Sequence, residues 1–115
     1  MHTIAVAVLV VIVTAEASAQ QPQAGMMGAG SGTCAQYTQA YRRDPDEANN
    51  VYFSWAQGYM SGQNAARDKS PMRDLNVLPI STQLDFLKRF CDQKPTVLFA
   101  IAAQTLFNAL PSLRK

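Results

Sequence analysis

Asp44-Pro45-Asp46-Glu47, followed in the same helical frame by Trp55-Ala56-Gln57-Gly58-Tyr59-Met60-Ser61-Gly62-Gln63-Asn64, is the stretch around which the chain is organised. Asp44 suits an N-cap, Pro45 the first helical position, and Glu47 the reciprocal place in a capping box, so a helix is expected to begin here and run to about Arg67. At 100° per residue, Val51, Trp55, Tyr59, Gly62 and Ala66 share a stripe with Gly58 and Tyr52 at its edges, while Ser54, Gln57, Ser61 and Asn64 lie opposite. That stripe is expected to face the core. Glycine inside a helix costs roughly 1 kcal/mol relative to alanine, so Gly58 and Gly62 are expected to let another helix approach beside the Trp55 and Tyr59 rings.

Outward from this helix, the pattern supplies partners on both sides. Thr33 can cap a short helix in which Cys34, Tyr37 and Tyr41 recur on one face, ending at Arg42-Arg43, where positive charge suits a C-terminus. Asp68 to Pro79 carries Pro71 and Pro79 and reads as a loop, with Leu75, Val77, Leu78 and Ile80 expected to pin it to the core. Ser81 or Thr82 then caps an amphipathic helix through Cys91, with Leu84, Phe86, Leu87, Phe90 and Cys91 on its apolar arc. Pro95 can open a last helix, Thr96 to Leu110, that is apolar nearly all round. Gln104, Thr105, Asn108 and Pro111 argue against a membrane span, so its small residues are expected to pack on Gly58 and Gly62. The fold class that follows is all-α: one small domain, residues 33–113, of about four helices.

The ends of the chain read differently. Ile4 to Ala15 is an apolar run followed by Ala17-Ser18-Ala19, the small-x-small pattern of a signal-peptidase site, so residues 1–19 are expected to be a signal peptide cleaved after Ala19. Residues 20–32 are rich in Gln, Gly, Ala and Ser and read as a flexible leader. Two cysteines remain, Cys34 and Cys91; in an oxidising compartment the even count favours one intrachain bridge, against the alternative of two free or metal-binding thiols.

Several classes of function find no support in the composition. After signal removal the chain holds ten Lys and Arg against seven carboxylates, a mild positive charge without the dense basic stripe of a nucleic-acid binder. His2 is the sole histidine, and Glu47 is the one glutamate outside the signal segment. No catalytic triad, metal cluster or phosphate loop can be written. The expectation is therefore no enzyme, no cofactor, no metal and no nucleic acid, with other proteins as partners and a second copy of the chain as a further candidate.

Thr33-Cys34, the central Trp-Ala-Gln-Gly-Tyr-Met-Ser-Gly-Gln-Asn segment, Cys91 followed by Pro95, and the apolar last helix together resemble the HdeA/HdeB-like small periplasmic proteins, over about Thr33 to Pro111. The resemblance implies a periplasmic all-helical domain with a disulfide joining the first helix to the end of the third, here Cys34 to Cys91. It further implies an acid-stress chaperone that shields unfolded clients. In acid, seven carboxylates would neutralise while ten cations persist, and an opened chain would present Phe99, Ile101, Leu106 and Phe107 as its client-binding apolar surface. The pattern is also similar to periplasmic immunity proteins of the Tai type, which bind and neutralise cell-wall amidases. On that alternative the chain binds one specific effector at neutral pH, through a cleft or a loop such as Asp68 to Pro79.

Overall fold

The computed structural model describes Val10, residues 25–68 and residues 70–113. The expected signal peptide, apart from Val10, and residues 20–24 of the expected leader therefore lie outside the described residues. A 3₁₀ turn, Ala29–Ser31, precedes four helices: α1 (Cys34–Arg43), α2 (Pro45–Ala65), α3 (Ile80–Gln93) and α4 (Phe99–Ala109). The all-α class read from the sequence is the architecture observed.

Local chemistry starts the first two helices where the sequence placed them. The Gln36 N–H donates to the Thr33 hydroxyl at 3.3 Å, and the Thr33 N–H donates to the Gln36 side-chain oxygen at 2.8 Å, closing a capping box. At α2, the Glu47 N–H donates to Asp44 Oδ1 at 3.2 Å, with Pro45 first in the helix and Asp46 and Glu47 placed where the helix dipole favours negative charge. The third helix departs from expectation: it begins at Ile80, behind Pro79 and without a side-chain cap, and continues two residues beyond Cys91 to Gln93.

Cys34 and Cys91 form a disulfide with a Cα–Cα separation of 4.7 Å, joining the first turn of α1 to the end of α3. Both cysteines are fully buried. Residues 95–98 run alongside as a turn that ends in extended Leu98, rather than as the helix expected from Pro95. The Cys34 N–H donates to Val97 O at 2.8 Å, the Ala35 N–H to Pro95 O at 2.9 Å, and the Phe99 N–H to Gly32 O at 2.8 Å. The first amides of a helix have no partner within it. Here the carbonyls of residues 95 and 97 supply one, and because the Phe99 N–H is given to Gly32 O rather than back to residue 95, α4 starts at Phe99 instead of Thr96.

The core gathers Tyr37 from α1, Phe53, Ala56 and Met60 from α2, Leu87 from α3, and Phe99, Ala102, Ala103, Leu106 and Phe107 from α4. Two expectations are corrected by it. The buried face of α2 is centred on Ala48, Phe53, Ala56 and Met60, about one residue (roughly 100°) around the helix from the expected stripe; Val51, Gly58 and Gly62 face solvent. The leader, too, is structured over its last part: Gly30 is buried, and the turn at residues 29–31 packs on α2 and α4.

The bridge closes 57 residues of separation, which by the chain-entropy argument stabilises the fold by about 4 kcal/mol. Chemical denaturation of the oxidised protein and of a Cys34→Ser/Cys91→Ser variant is expected to show a loss of that order, and intact-mass analysis of exported, non-reduced protein to find no alkylatable thiol.

Candidate functional site

The Trp-Gly-Tyr-Gly motif divides into two parts that face different ways. Trp55 stacks on Tyr59, with ring centroids 5.2 Å apart and planes at 18°, and meets the edge of Phe99 at 6.3 Å. Its indole N–H donates to Met27 O at 2.8 Å, and the Tyr59 hydroxyl donates to Gln104 Oε1 at 2.6 Å. The glycine that lets backbone approach Trp55 is Gly30: a Cβ there would overlap the six-membered part of the indole ring. Gly28 precedes it at φ 85°, a left-handed conformation that glycine adopts without a Cβ penalty. Gly58 and Gly62, in contrast, have nothing within 4 Å of where a Cβ would stand. They do not mediate packing against the last helix, because the α2 face that meets the core is the adjacent one.

Tyr37 sits at the centre of the remaining aromatic rings, 4.9 Å from Tyr52 and 5.2 Å from Phe99 between centroids. Its hydroxyl donates to Asn49 Oδ1 at 2.7 Å. Burial, reinforced by Tyr41 and Asp92, pushes its pKa up to about 12. Tyr37 and Phe99 are interior, whereas Tyr41 and Tyr52 are half-buried, and Tyr52 lines two shallow surface depressions.

The expected client-binding surface is not a surface in the folded protein. Phe99, Leu106 and Phe107 are 0% exposed, and Ile101 alone of the four reaches solvent, at 49%. The bulk of α4 is buried, and its solvent face is carried by Ile101, Gln104, Thr105, Asn108 and Ala109. Among the described residues no helix is long and apolar enough to cross a membrane, and no group of three or more His, Cys, Asp or Glu could hold a metal ion.

Among several surface depressions of the described residues, the most enclosed is a groove of about 410 Å³ between α2, the loop after it and the start of α3, with Phe53 and Met60 at its base and Leu75, Leu78 and Ile80 along its outer wall; wider, shallower ones of about 600 and 590 Å³ lie beside residues 44–50 and beside the turn at residues 28–32. Gln83 holds that wall by bonding to loop backbone, and Asn64 and Arg73 fix the segment that precedes it. Gln83, 3% exposed, donates from Nε2 to both Leu75 O and Leu78 O at 3.0 Å. Asn64 donates to Arg73 O at 2.9 Å and accepts from the Arg73 N–H at 2.8 Å. Arg73 donates from Nη1 to Asn108 O at 3.0 Å and Leu110 O at 2.6 Å, at the end of α4. Leu75 and Leu78 pack against the core as expected. Val77 and Ile80 do not: they are 46% and 57% exposed, displayed beside the groove rather than anchoring the loop.

Gln83, Asn64 and Arg73 were not singled out by the sequence reading. A signal for Gln83 was present, since it precedes Leu87 and Cys91 at four-residue steps and so shares their buried line. No family model matches this chain, and neither a curated protein nor a solved structure matches it.

Two outcomes follow from these contacts. Gly58→Ala and Gly62→Ala should each raise stability by about 0.5–1 kcal/mol, since the sites are open and helical, whereas Gly30→Ala should lower it by about 1–3 kcal/mol through overlap with Trp55; urea midpoints at unchanged slope check both. A phenol with a folded pKa of about 12 against a model value of 10.0 is protonated preferentially in the folded state. Its stabilising contribution is complete below about pH 10 and lost as pH rises toward 12, so a Tyr37→Phe variant should lose less stability than wild type across that window.

Proposed function

We propose that this is an exported, periplasmic, non-enzymatic module that binds one specific protein partner in its folded state, through the groove between α2 and α3 and the adjoining ridge of Val77 and Ile80. The observation that supports this most is the shape-holding of the loop. A buried glutamine is bonded to two loop carbonyls, and the turn thus held presents two large apolar side chains to solvent. Rigid presentation lowers the ordering cost of association, which is how a small surface gains affinity and selectivity. A loop positioned in this way by a helical scaffold is also where binding residues concentrate.

The acid-chaperone reading, which the HdeA/HdeB-like resemblance carries, asks more of the fold. Its apolar residues Phe99 and Leu106 are reached by breaking the core. Among the described residues there is one ion pair, Lys88 with Asp92 at 2.7 Å, partly exposed and within one helix, worth about 0.3–0.5 kcal/mol. Acid therefore removes little native pairing, and opening would rest on repulsion among the ten cations.

Affinity enrichment from periplasmic extract at neutral pH, with quantitative mass spectrometry, separates the two. Wild type and Gly58→Ala should retain the same single dominant protein at comparable yield, and a Val77→Asp/Ile80→Asp variant should lose at least about tenfold of it, the effect of about 1.4 kcal/mol at an interface centre. Capture that ignores those two substitutions overturns the assignment of the ridge. Protection of an unrelated aggregating client below about pH 3, with no selective partner at pH 7, would establish the chaperone reading in its place.

A further inference from the structure

Two short segments distant in sequence lie side by side where the loop leaves Arg73 for the turn held by Gln83. Arg73 and Ser112 form an isolated antiparallel bridge. The Asp74 N–H donates to Pro111 O at 2.9 Å, and the Leu113 N–H to Met72 O at 2.6 Å. Arg73 organises this contact from both ends: its backbone is held by Asn64 at 2.8 and 2.9 Å, and its guanidinium by the carbonyls of Asn108 and Leu110. Arg67 joins from the end of α2, donating from Nη1 to Pro71 O at 3.1 Å. Both guanidinium groups lie over the Phe107 ring, Arg67 at 4.9 Å and Arg73 at 5.5 Å from its centroid.

The hold on these segments is polar. Their large apolar side chains, Met72 and Leu113, are 47% and 44% exposed, while Phe107 and Leu110 beneath are 0% and 1% exposed. Segments with little apolar burial, fixed by hydrogen bonds, open at lower free energy than the core they cover. The closed state also leaves a donor unsatisfied, since Arg73 Nε is buried without a partner. A donor in that position gains water when the contact opens.

We propose that residues 71–74 and 111–113 form a latch, centred on Arg73, that opens as one unit under native conditions without unfolding the bundle, and that its opening uncovers Phe107 and Leu110. The disulfide and the strap of residues 95–98 hold α1 against α3 and α4, and Gln83 holds the turn at residues 75–78, so neither is released when the latch opens. The latch gives the folded protein a second apolar face, transient and shielded by two arginines. It does not depend on the groove being the binding site.

Amide hydrogen exchange on the full, disulfide-bonded chain at neutral pH tests this. In wild type, the Asp74 and Leu113 amides should exchange at least about tenfold faster than those of Leu106 and Phe107 in α4. Asn64→Ala touches the Arg73 side of the contact only, so a further rise of about tenfold at both Asp74 and Leu113, with Leu106 and Phe107 unchanged, marks a single opening unit. Arg73→Gln should do the same and should bind a hydrophobic dye more strongly than wild type, as uncovered Phe107 requires. Acceleration at Asp74 without Leu113, equal acceleration through α4, or no gain in dye binding would each overturn the proposal. Should Arg73→Gln fail to fold, Arg73→Lys, which keeps the charge but loses the planar fork, takes its place with the same expected readings.

Discussion

The structure depends on one junction, where the first turn of α1 meets the end of α3 and the turn at residues 95–98 that follows it. Cys34 is bonded covalently to Cys91, and its own N–H, with that of Ala35, donates to carbonyls of residues 97 and 95. A helix start buried without partners for its amides would be costly; here the chain that leaves α3 provides them. The same pairing directs that chain into α4, whose first residue donates back to Gly32. One junction thus sets the packing of three helices, and a domain of this size gains from a covalent tie because it has little core with which to hold itself.

Trp55 is the second organising element, and it acts through what lies under it. The turn at residues 29–31 is anchored by the bond from the indole to Met27 and by the absence of a side chain at Gly30. A tail of Gly, Ala and Ser holds position against a bundle only where close backbone approach replaces side-chain packing, and a large flat ring offers the area for it. The described part of the leader therefore takes its place from the tryptophan.

Function, on the reading proposed, resides in backbone held by side chains. Gln83, Asn64 and Arg73 each bond to main-chain atoms of the loop or of the end of α4, giving irregular backbone the definition that helices obtain from their own hydrogen bonds. The groove beside it and the exposed Val77 and Ile80 take their geometry from the Gln83 bonds. At the other end of the loop, the same residue types shield Phe107, so a single connection contributes a fixed ridge and a separable latch.

Much of the fold was legible in the chain itself. The caps at Thr33 and Asp44, the amphipathic arc around Leu87 and Cys91, and the continuous apolar run of the last helix are local patterns, and local hydrogen bonding with helical periodicity determines them. The pair of cysteines in a chain with an export pattern pointed to a single bridge for the same kind of reason. What the tertiary structure decided were the choices that periodicity leaves balanced. Helix α2 carries large side chains on neighbouring faces, Val51, Trp55 and Tyr59 on one and Phe53, Ala56 and Met60 on the next. Only contact with α1, α3 and α4 selects the second as the core, which turns Gly58 and Gly62 to solvent and leaves Gly30 as the glycine that packs. The start of α4 at Phe99 and the burial of Gln83 have the same origin: each is set by a backbone group from a distant part of the chain that needs a partner, and no local pattern records where such a group will lie.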